Sequence, residues 1–445
     1  MNKQLLGAML IFLTNNSAAE VVDNNIMTFT PLQASAQKDK PSSGDLDKAP
    51  WEIPAGYTQI VIADETQLDI YKNISDWNDM NTVNETGKNA GRYLYRTHEV
   101  RPRKKLFGGL TKAQTIKNFK AAGGGAVSVV DLITGEARIV LQKSYWEAID
   151  GILWTPWGSI LVAEESNTQT IPDPALPKAK SGHVYEMMID SDDPMNKNNT
   201  AKALFRPQLG ALAHEGIEYD EKGNIYVIDE DFHGSIYKFV PKAYGDLSSG
   251  QLYVLNLKED NAERTGSAEW LALDMRLAQL DAQAAATQVD ATTWCRPEDL
   301  ENIDETLYVA LTCNKNSLLG QREENRVLSI SLGKNPMVKN FVKAGVNAPE
   351  EDGKNPAGFA KPDNLAKSAD GRLWIVEDNS PSEIWVASSD QDGDGYSDQV
   401  KLFASLADSK AEGTGIYFGK DPNKLFVNIQ HSQTGNDKTM IISKQ

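Results

Sequence analysis

One pattern returns along the chain and restricts it to a narrow set of folds. An acidic or polar residue opens a short apolar-alternating run, a turn of Gly, Asp or Asn follows, and a second β-branched or aromatic run ends again on acidic or polar residues. The copies read Asp150-Gly-Ile-Leu-Trp154 with Ser159-Ile-Leu-Val-Ala-Glu-Glu165, Glu215-Gly-Ile-Glu-Tyr219 with Asn224-Ile-Tyr-Val-Ile-Asp-Glu-Asp231, and Glu298-Asp-Leu300 with Leu307-Tyr-Val-Ala-Leu-Thr-Cys313. Asp363-Asn-Leu365 with Arg372-Leu-Trp-Ile-Val-Glu-Asp-Asn379 and Glu412-Gly-Thr-Gly-Ile-Tyr417 with Lys424-Leu-Phe-Val-Asn-Ile-Gln-His431 continue it, and Arg92-Tyr-Leu-Tyr-Arg-Thr-His-Glu99 is an earlier copy.

The ends of the second runs, Glu99, Glu165, Asp231, Cys313, Asn379 and His431, lie 66, 66, 82, 66 and 52 residues apart. That period is too long for one hairpin and suits four short strands with their loops, which is one propeller blade. The expected fold is therefore all-β: a six-bladed β-propeller over residues 51–445. The longest gap holds Ala272 to Ala291, rich in Ala, Leu, Gln and Asp, and predicts a helical insertion between blades. An α/β fold would need a helix after every strand, and those helices are missing.

In an antiparallel hairpin the start of the first strand lies beside the end of the second, so each copy delivers both of its polar ends to the same rim. The residues expected there include His98 and Glu99; Asp150, Glu164 and Glu165; His214, Glu215, Glu230 and Asp231; Arg296, Glu298 and Asp299; Asp363, Asn364, Glu377 and Asp378; and Glu412 with His431. Acidic residues at strand ends are also ordinary turn formers. Repeated at the same two positions of copy after copy, however, unpaired carboxylates would repel one another and take up protons unless cations sat between them. An all-oxygen ligand set favours hard cations, above all Ca²⁺. Asp150, Glu164, Glu165, Glu215, Glu298, Asp363 and Asn364 are the expected ligands. Separately, Asp390, Asp392, Asp394 and Asp398 follow the opening of an EF-hand loop, with Lys401 in place of its bidentate Glu, and predict a structural calcium loop.

The chain begins with Lys3, an apolar stretch from Leu5 to Leu13 and small residues at Ser17, Ala18 and Ala19, the pattern of a cleavable signal peptide over residues 1–19. Residues 20–50 are polar and predict a flexible linker. A periplasmic or secreted location is expected, with no membrane span, because no stretch reaches the roughly 20 apolar residues needed. With 45 Lys and Arg against 62 Asp and Glu, the formal charge is −17. That excludes a surface made to neutralise nucleic-acid phosphates. The two cysteines, Cys295 and Cys313, exclude a Cys-rich metal site and permit one disulfide. Nothing in the composition calls for a partner chain, and a monomer is expected.

Taken together, Thr155-Pro-Trp-Gly158, Glu164-Glu165, Ala213-His-Glu-Gly216, Tyr237-Lys-Phe239, Arg296-Pro-Glu-Asp299, Lys361-Pro-Asp-Asn364 and Asn428-Ile-Gln-His431 resemble, in order, the motifs of the PhoX family of alkaline phosphatases. The resemblance covers the chain from about Tyr93 onward. It implies an exported six-bladed propeller that hydrolyses phosphate monoesters with iron and calcium ions at the channel mouth. Glu165 would then be a metal ligand, Glu215 a ligand touching the metal centre, Arg296 and Glu298 phosphate-contacting residues, and Asp363 with Asn364 part of the calcium shell. This chain departs from the family at Asp150, where the family has a metal-bridging Cys. A hard carboxylate in place of a soft thiolate moves the expected metal content from iron towards calcium alone, or towards another ion that prefers oxygen.

The expected activity is that of a metal-dependent phosphoesterase acting on small phosphate esters through a metal-held water or hydroxide, with Arg296, Glu298 and Glu215 as catalytic residues. Cations would invert the local field that otherwise repels a phosphate dianion, and Arg296 would add a planar bidentate clamp. A calcium-dependent lactonase or esterase and a non-catalytic binding module are the alternatives. The lactonase or esterase chemistry has no special use for an Arg clamp.

Overall fold

The computed structural model describes residues 26–68, 77–101, 111–122, 124–313, 324–351 and 356–445; the expected signal peptide lies outside them. The strands pair into three four-stranded sheets, one five-stranded sheet and one nine-stranded sheet. Six inner strands, Asn78–Val83, Ile149–Trp154, Ile217–Tyr219, Pro297–Ile303, Pro362–Lys367 and Glu412–Phe418, each touch the next, and the last touches the first. Every inner strand opens an antiparallel meander running outward from this ring, giving an all-β, propeller-like arrangement.

The expected separation into one sheet per repeat fails at one place. Strand Gly266–Ala272 pairs with Gly250–Leu257 on one side and, through Gly266 and Ser267, with Val338 and Met337 of strand Met337–Lys343 on the other. The meanders that begin at Ile217 and Pro297 are thereby fused into the nine-stranded sheet. Outer strands carry unpaired N–H and C=O groups, and the long connection uses its first residues to cover two such edges at once. The helical insertion is also shorter than expected. It forms two brief helices, Met275–Ala278 and Ala282–Thr287, because Asp274 and Asp281 each turn a side-chain oxygen onto the backbone N–H groups of a new first turn. Ala278, Ala282 and Ala285 pack into a core with Leu209 and Leu252.

The ring is closed by the first long strand: Tyr57–Asp64 pairs along Lys438–Lys444, from Tyr57 opposite Lys444 to Asp64 opposite Lys438. The polar segment ahead of it, expected to be a linker, is anchored at the start of its described part. Ile26 and Met27 are buried with Trp51, Trp374 and Phe403, and the Tyr57 hydroxyl donates to the Ile26 carbonyl at 2.6 Å. Average polarity had hidden a short apolar anchor. Cys295 and Cys313 form a disulfide with a Cα separation of 5.7 Å, tying together the two ends of one inner hairpin.

Candidate active site and metal centre

The site is built by a repeated backbone irregularity. In the first hairpin of five copies the pairing register skips two residues of the inner strand; besides the skip between Thr414 and Tyr417, where the first skipped residue is Gly415, the skips lie between Asn78 and Asn81, Ile149 and Ile152, Pro297 and Leu300, and Pro362 and Leu365. In these four the first skipped residue is in turn Asp79, Asp150, Glu298 and Asp363. A bulge re-aims a side chain and ends pairing locally, so the same defect turns four carboxylates to one place. Glu215, just ahead of the short strand Ile217–Tyr219, supplies the fifth. Glycine makes the convergence possible. A Cβ at Gly151 would overlap the Glu215 carbonyl, and one at Gly216 would overlap Asp299 and the Leu300 amide.

In two of these copies the second skipped residue stitches the ring. Asp299 accepts from the amides of Leu300 at 2.7 Å and Leu365 at 2.8 Å. Asn364 donates to Glu215 Oε1 at 3.2 Å and accepts from the Gly415 amide at 2.5 Å, while Asn81 donates to the Gly415 carbonyl at 2.8 Å.

The resulting cavity has a volume of about 370 Å³. Asp79, Glu99, Asp150, Glu165, Glu215, Glu230, Glu298, Asp363, Asp378 and Glu412 line it, with Arg101 and Arg296 as its cations and Trp77, Thr414, Gln430 and His431 completing the wall. Two triads, Asp79 with Glu99 and Asp150, and Glu215 with Glu230 and Glu298, each bring one carboxylate oxygen per residue within 4.8 Å of the others. Arg101 is paired with Glu99 and Glu165. Arg296 reaches Glu230 at 2.5 Å and Glu298 at 3.1 Å. His431 Nε2 lies 3.3 Å from Glu412, and its ring meets Trp77 edge-on at 4.8 Å.

Burial pushes the carboxyls of Asp79, Asp150, Glu215, Glu298, Asp363 and Glu412 well above the usual range, and mutual repulsion adds to it. Glu99 ends lower than usual: burial raises it, but Arg101 and neighbouring hydrogen bonds outweigh that. Asp150 Oδ1 is buried with no hydrogen-bond partner. An orphaned carboxylate oxygen within an oxygen-only donor set fits a hard divalent cation, which would satisfy it and remove the repulsion.

Most of the expected residues are thus brought together: Asp150, Glu165, Glu215, Arg296, Glu298 and Asp363 all line the cavity. Two ligand expectations are corrected. Glu164 turns away from the cavity and accepts from the backbone amides of Glu147, Gly182 and His183 at 2.9–3.2 Å, so both its oxygens are engaged; Asn364 is buried between Glu215 and Gly415 and positions rather than lines. Replacing Glu164 with Ala is expected to leave metal content unchanged. Orphaning three buried amides should lower unfolding stability by at least about 3 kcal/mol in a denaturant titration.

His98 and His214 are buried elsewhere. His98 bonds Ser128 at 2.7 Å and His214 the Gly210 carbonyl at 3.2 Å, with burial lowering the His214 imidazole to about 3. Asp390, Asp392, Asp394 and Asp398 lie between strands Glu383–Ala387 and Val400–Leu406, at the end of their sheet away from the cavity. Asp390, Asp392 and Asp398 bring oxygens within 4.8 Å of one another there, and Gly395 takes the positive φ of 106° that the sharp turn requires. Asp79 and Arg101 were not foreseen. The strand paired with Tyr93–His98 was the available signal for Asp79, since the start of a strand beside a rim acid must itself reach the rim.

Residues 150–433 match the model of the family described as alkaline phosphatase PhoX. The chain belongs to that family. The structure of Pseudomonas fluorescens PhoX in complex with vanadate, a transition-state analogue, superposes with a TM-score of 0.66 at 20% identity, covering 94% of this chain and 98% of that one. Two more distant structures have lower TM-scores: the PQQ-bound aldose sugar dehydrogenase of Streptomyces coelicolor (0.39, 10% identity, 88% of this chain and 99% of that one) and the Pan2 WD40 domain of Neurospora crassa (0.42, 7% identity, 89% and 96%). No curated protein matches the chain in sequence. As a PhoX-family member the chain is a phosphoric ester hydrolase, and the family is metal-dependent. Among the described residues no helix is long and apolar enough to cross a membrane.

Proposed function

We propose that this chain is an exported phosphomonoesterase on a six-bladed propeller, with a calcium centre held by oxygen ligands alone. The closed ring of six inner strands supports the blade count, the nine-stranded sheet being two blades bridged by Gly266–Ala272. Asp79, Glu99 and Asp150 would hold one ion and Glu215, Glu230 and Glu298 a second, with Glu165, Asp363, Asp378 and Glu412 bordering both. When bound, these ions supply the positive charge that draws in the phosphoryl group and acidifies water beside it. Arg296, held by Glu230 and Glu298, clamps phosphoryl oxygens through its planar donors. Asn364 keeps Glu215 in register. The loop of Asp390, Asp392, Asp394 and Asp398 would take a further, structural calcium.

The observation that carries this reading is the unpartnered Asp150 Oδ1, buried among carboxylates at the position where the family has a thiolate. Elemental analysis of protein purified without chelator tests it. Calcium is expected without stoichiometric iron, together with hydrolysis of p-nitrophenyl phosphate, and the Asp150→Cys variant should gain iron. Stoichiometric iron in the unaltered protein would overturn the oxygen-only centre.

A further inference from the structure

Beside the metal-centre cavity lies a second cleft, of about 450 Å³, most of whose lining none of the roles above uses. Arg101, Glu165, Glu230 and Arg296 belong to the walls of both spaces and form the neck between them. Past the neck the lining changes. Hydroxyl and amide side chains, among them Asn167 and Thr168, stand beside the carboxylates of Glu147 and Asp231 and the ring of Phe232.

We propose that this cleft receives the alcohol portion of the ester, and that it is built for a neutral polyhydroxylated ring, the sugar of a sugar phosphate. The assignment rests on the phosphomonoesterase reading above and adds the substrate class to it. The phosphorus of an ester and its alcohol are joined through a single oxygen, so the alcohol must occupy space directly adjoining the phosphate. With the phosphoryl group clamped by Arg296 at the neck, the cleft is that space.

Its chemistry suits hydroxyl groups. Asp231 Oδ2 accepts from the Asn167 amide at 2.8 Å and Oδ1 from the His233 backbone N–H at 3.2 Å. A carboxylate oxygen can accept a second bond, so Asp231 has capacity for neighbouring hydroxyls of one ring. Phe232 is 46% exposed and offers a face against which the C–H side of a sugar can lie. Charge sets the exclusion. Among the described residues, the cations of the cleft are the two neck arginines, both already paired with carboxylates. Beyond them the wall is acidic, so an alcohol carrying a second anionic group meets repulsion.

The test is a set of kcat/KM values on the metal-loaded full chain with glucose 6-phosphate, ethyl phosphate and 3-phosphoglycerate, for the unaltered enzyme, Phe232→Ala and Asp231→Asn. The unaltered enzyme should prefer glucose 6-phosphate to both of the others. Each substitution should lower the glucose 6-phosphate to ethyl phosphate ratio about tenfold, and Asp231→Asn should also raise the relative use of 3-phosphoglycerate. The half-exposed position of Phe232 and the near-identical shape of Asn and Asp favour retention of the fold. A ratio that neither substitution moves, with ethyl phosphate still hydrolysed, overturns the cleft assignment alone. Failure of the unaltered enzyme to hydrolyse any of the three esters overturns the phosphomonoesterase reading and this one with it.

Discussion

Stripping divalent ions with a chelator is expected to abolish hydrolysis of p-nitrophenyl phosphate, by at least about 10³-fold in kcat/KM, and added calcium should restore it. The chain carries a formal charge of −17, and among the described residues ten carboxylates face the cavity against two arginines, so without cations the site repels its own substrate. The same removal should reverse the pH dependence of stability. Asp79, Asp150, Glu215, Glu298, Asp363 and Glu412 have carboxyls raised by burial and then by mutual repulsion. A group whose pKa is higher in the fold than in the unfolded chain contributes stability that is complete below its unfolded value, near pH 4, and is lost as pH rises through its folded value. Asp299 and Asp229, raised to about 8 by burial, extend that loss into mildly alkaline solution. Metal-free protein should therefore melt at a higher temperature at pH 5 than at pH 8. Calcium competes with those protons, so its stabilising effect should be larger at pH 8. Thermal melts at the two pH values, with and without chelator, check both signs; equal melting temperatures throughout would mean that no ion is held in the cavity.

Arg296→Lys is expected to lower kcat/KM for p-nitrophenyl phosphate by about 10²- to 10³-fold, with calcium content unchanged. Lysine keeps the charge but presents a point rather than a planar fork, and it cannot bond Glu230 through two nitrogens as Arg296 does, from Nε at 2.7 Å and Nη2 at 2.5 Å. The position is held firmly. Arg296 has a positive φ of 44°, its amide donates to the Asp231 carbonyl at 2.8 Å, its carbonyl accepts from the Thr312 amide at 3.0 Å, and the disulfide begins at the preceding residue. A backbone kept in the left-handed region by so many partners points to a side chain that must be aimed. The loss should fall mainly on kcat, since the clamp acts on charge that develops during transfer. Unchanged kcat/KM in the lysine variant would remove Arg296 from the phosphate site.

Neighbouring residues separate what could be read in advance from what could not. Asp150, Glu215, Glu298 and Asp363 open recognisable hairpins, and their delivery to one rim follows from strand pairing. Glu164 and Glu165 are adjacent and chemically alike, yet strand alternation sends one to backbone amides and the other to the cavity; the choice of face depends on what packs around them. Asp79 sits in Asn-Asp-Met-Asn-Thr-Val, where no apolar-alternating run follows the acid, and Arg101 heads a basic run outside the repeated pattern. Neither shows its role until the ring closes.

What the amino-acid order determined by itself is the alternation, the turn positions and the repeat, because these depend on contacts between near neighbours; with them came the all-β class and the ring of acids. The tertiary structure alone decided which carboxylates share a triad, that the bulges aim them, that Gly266–Ala272 fuses two meanders, and that a cleft adjoins the arginine neck. Those features arise where segments from distant parts of the chain approach within hydrogen-bonding distance. At that range, a missing Cβ at Gly151 or an amide from Asn364 settles what no local pattern encodes.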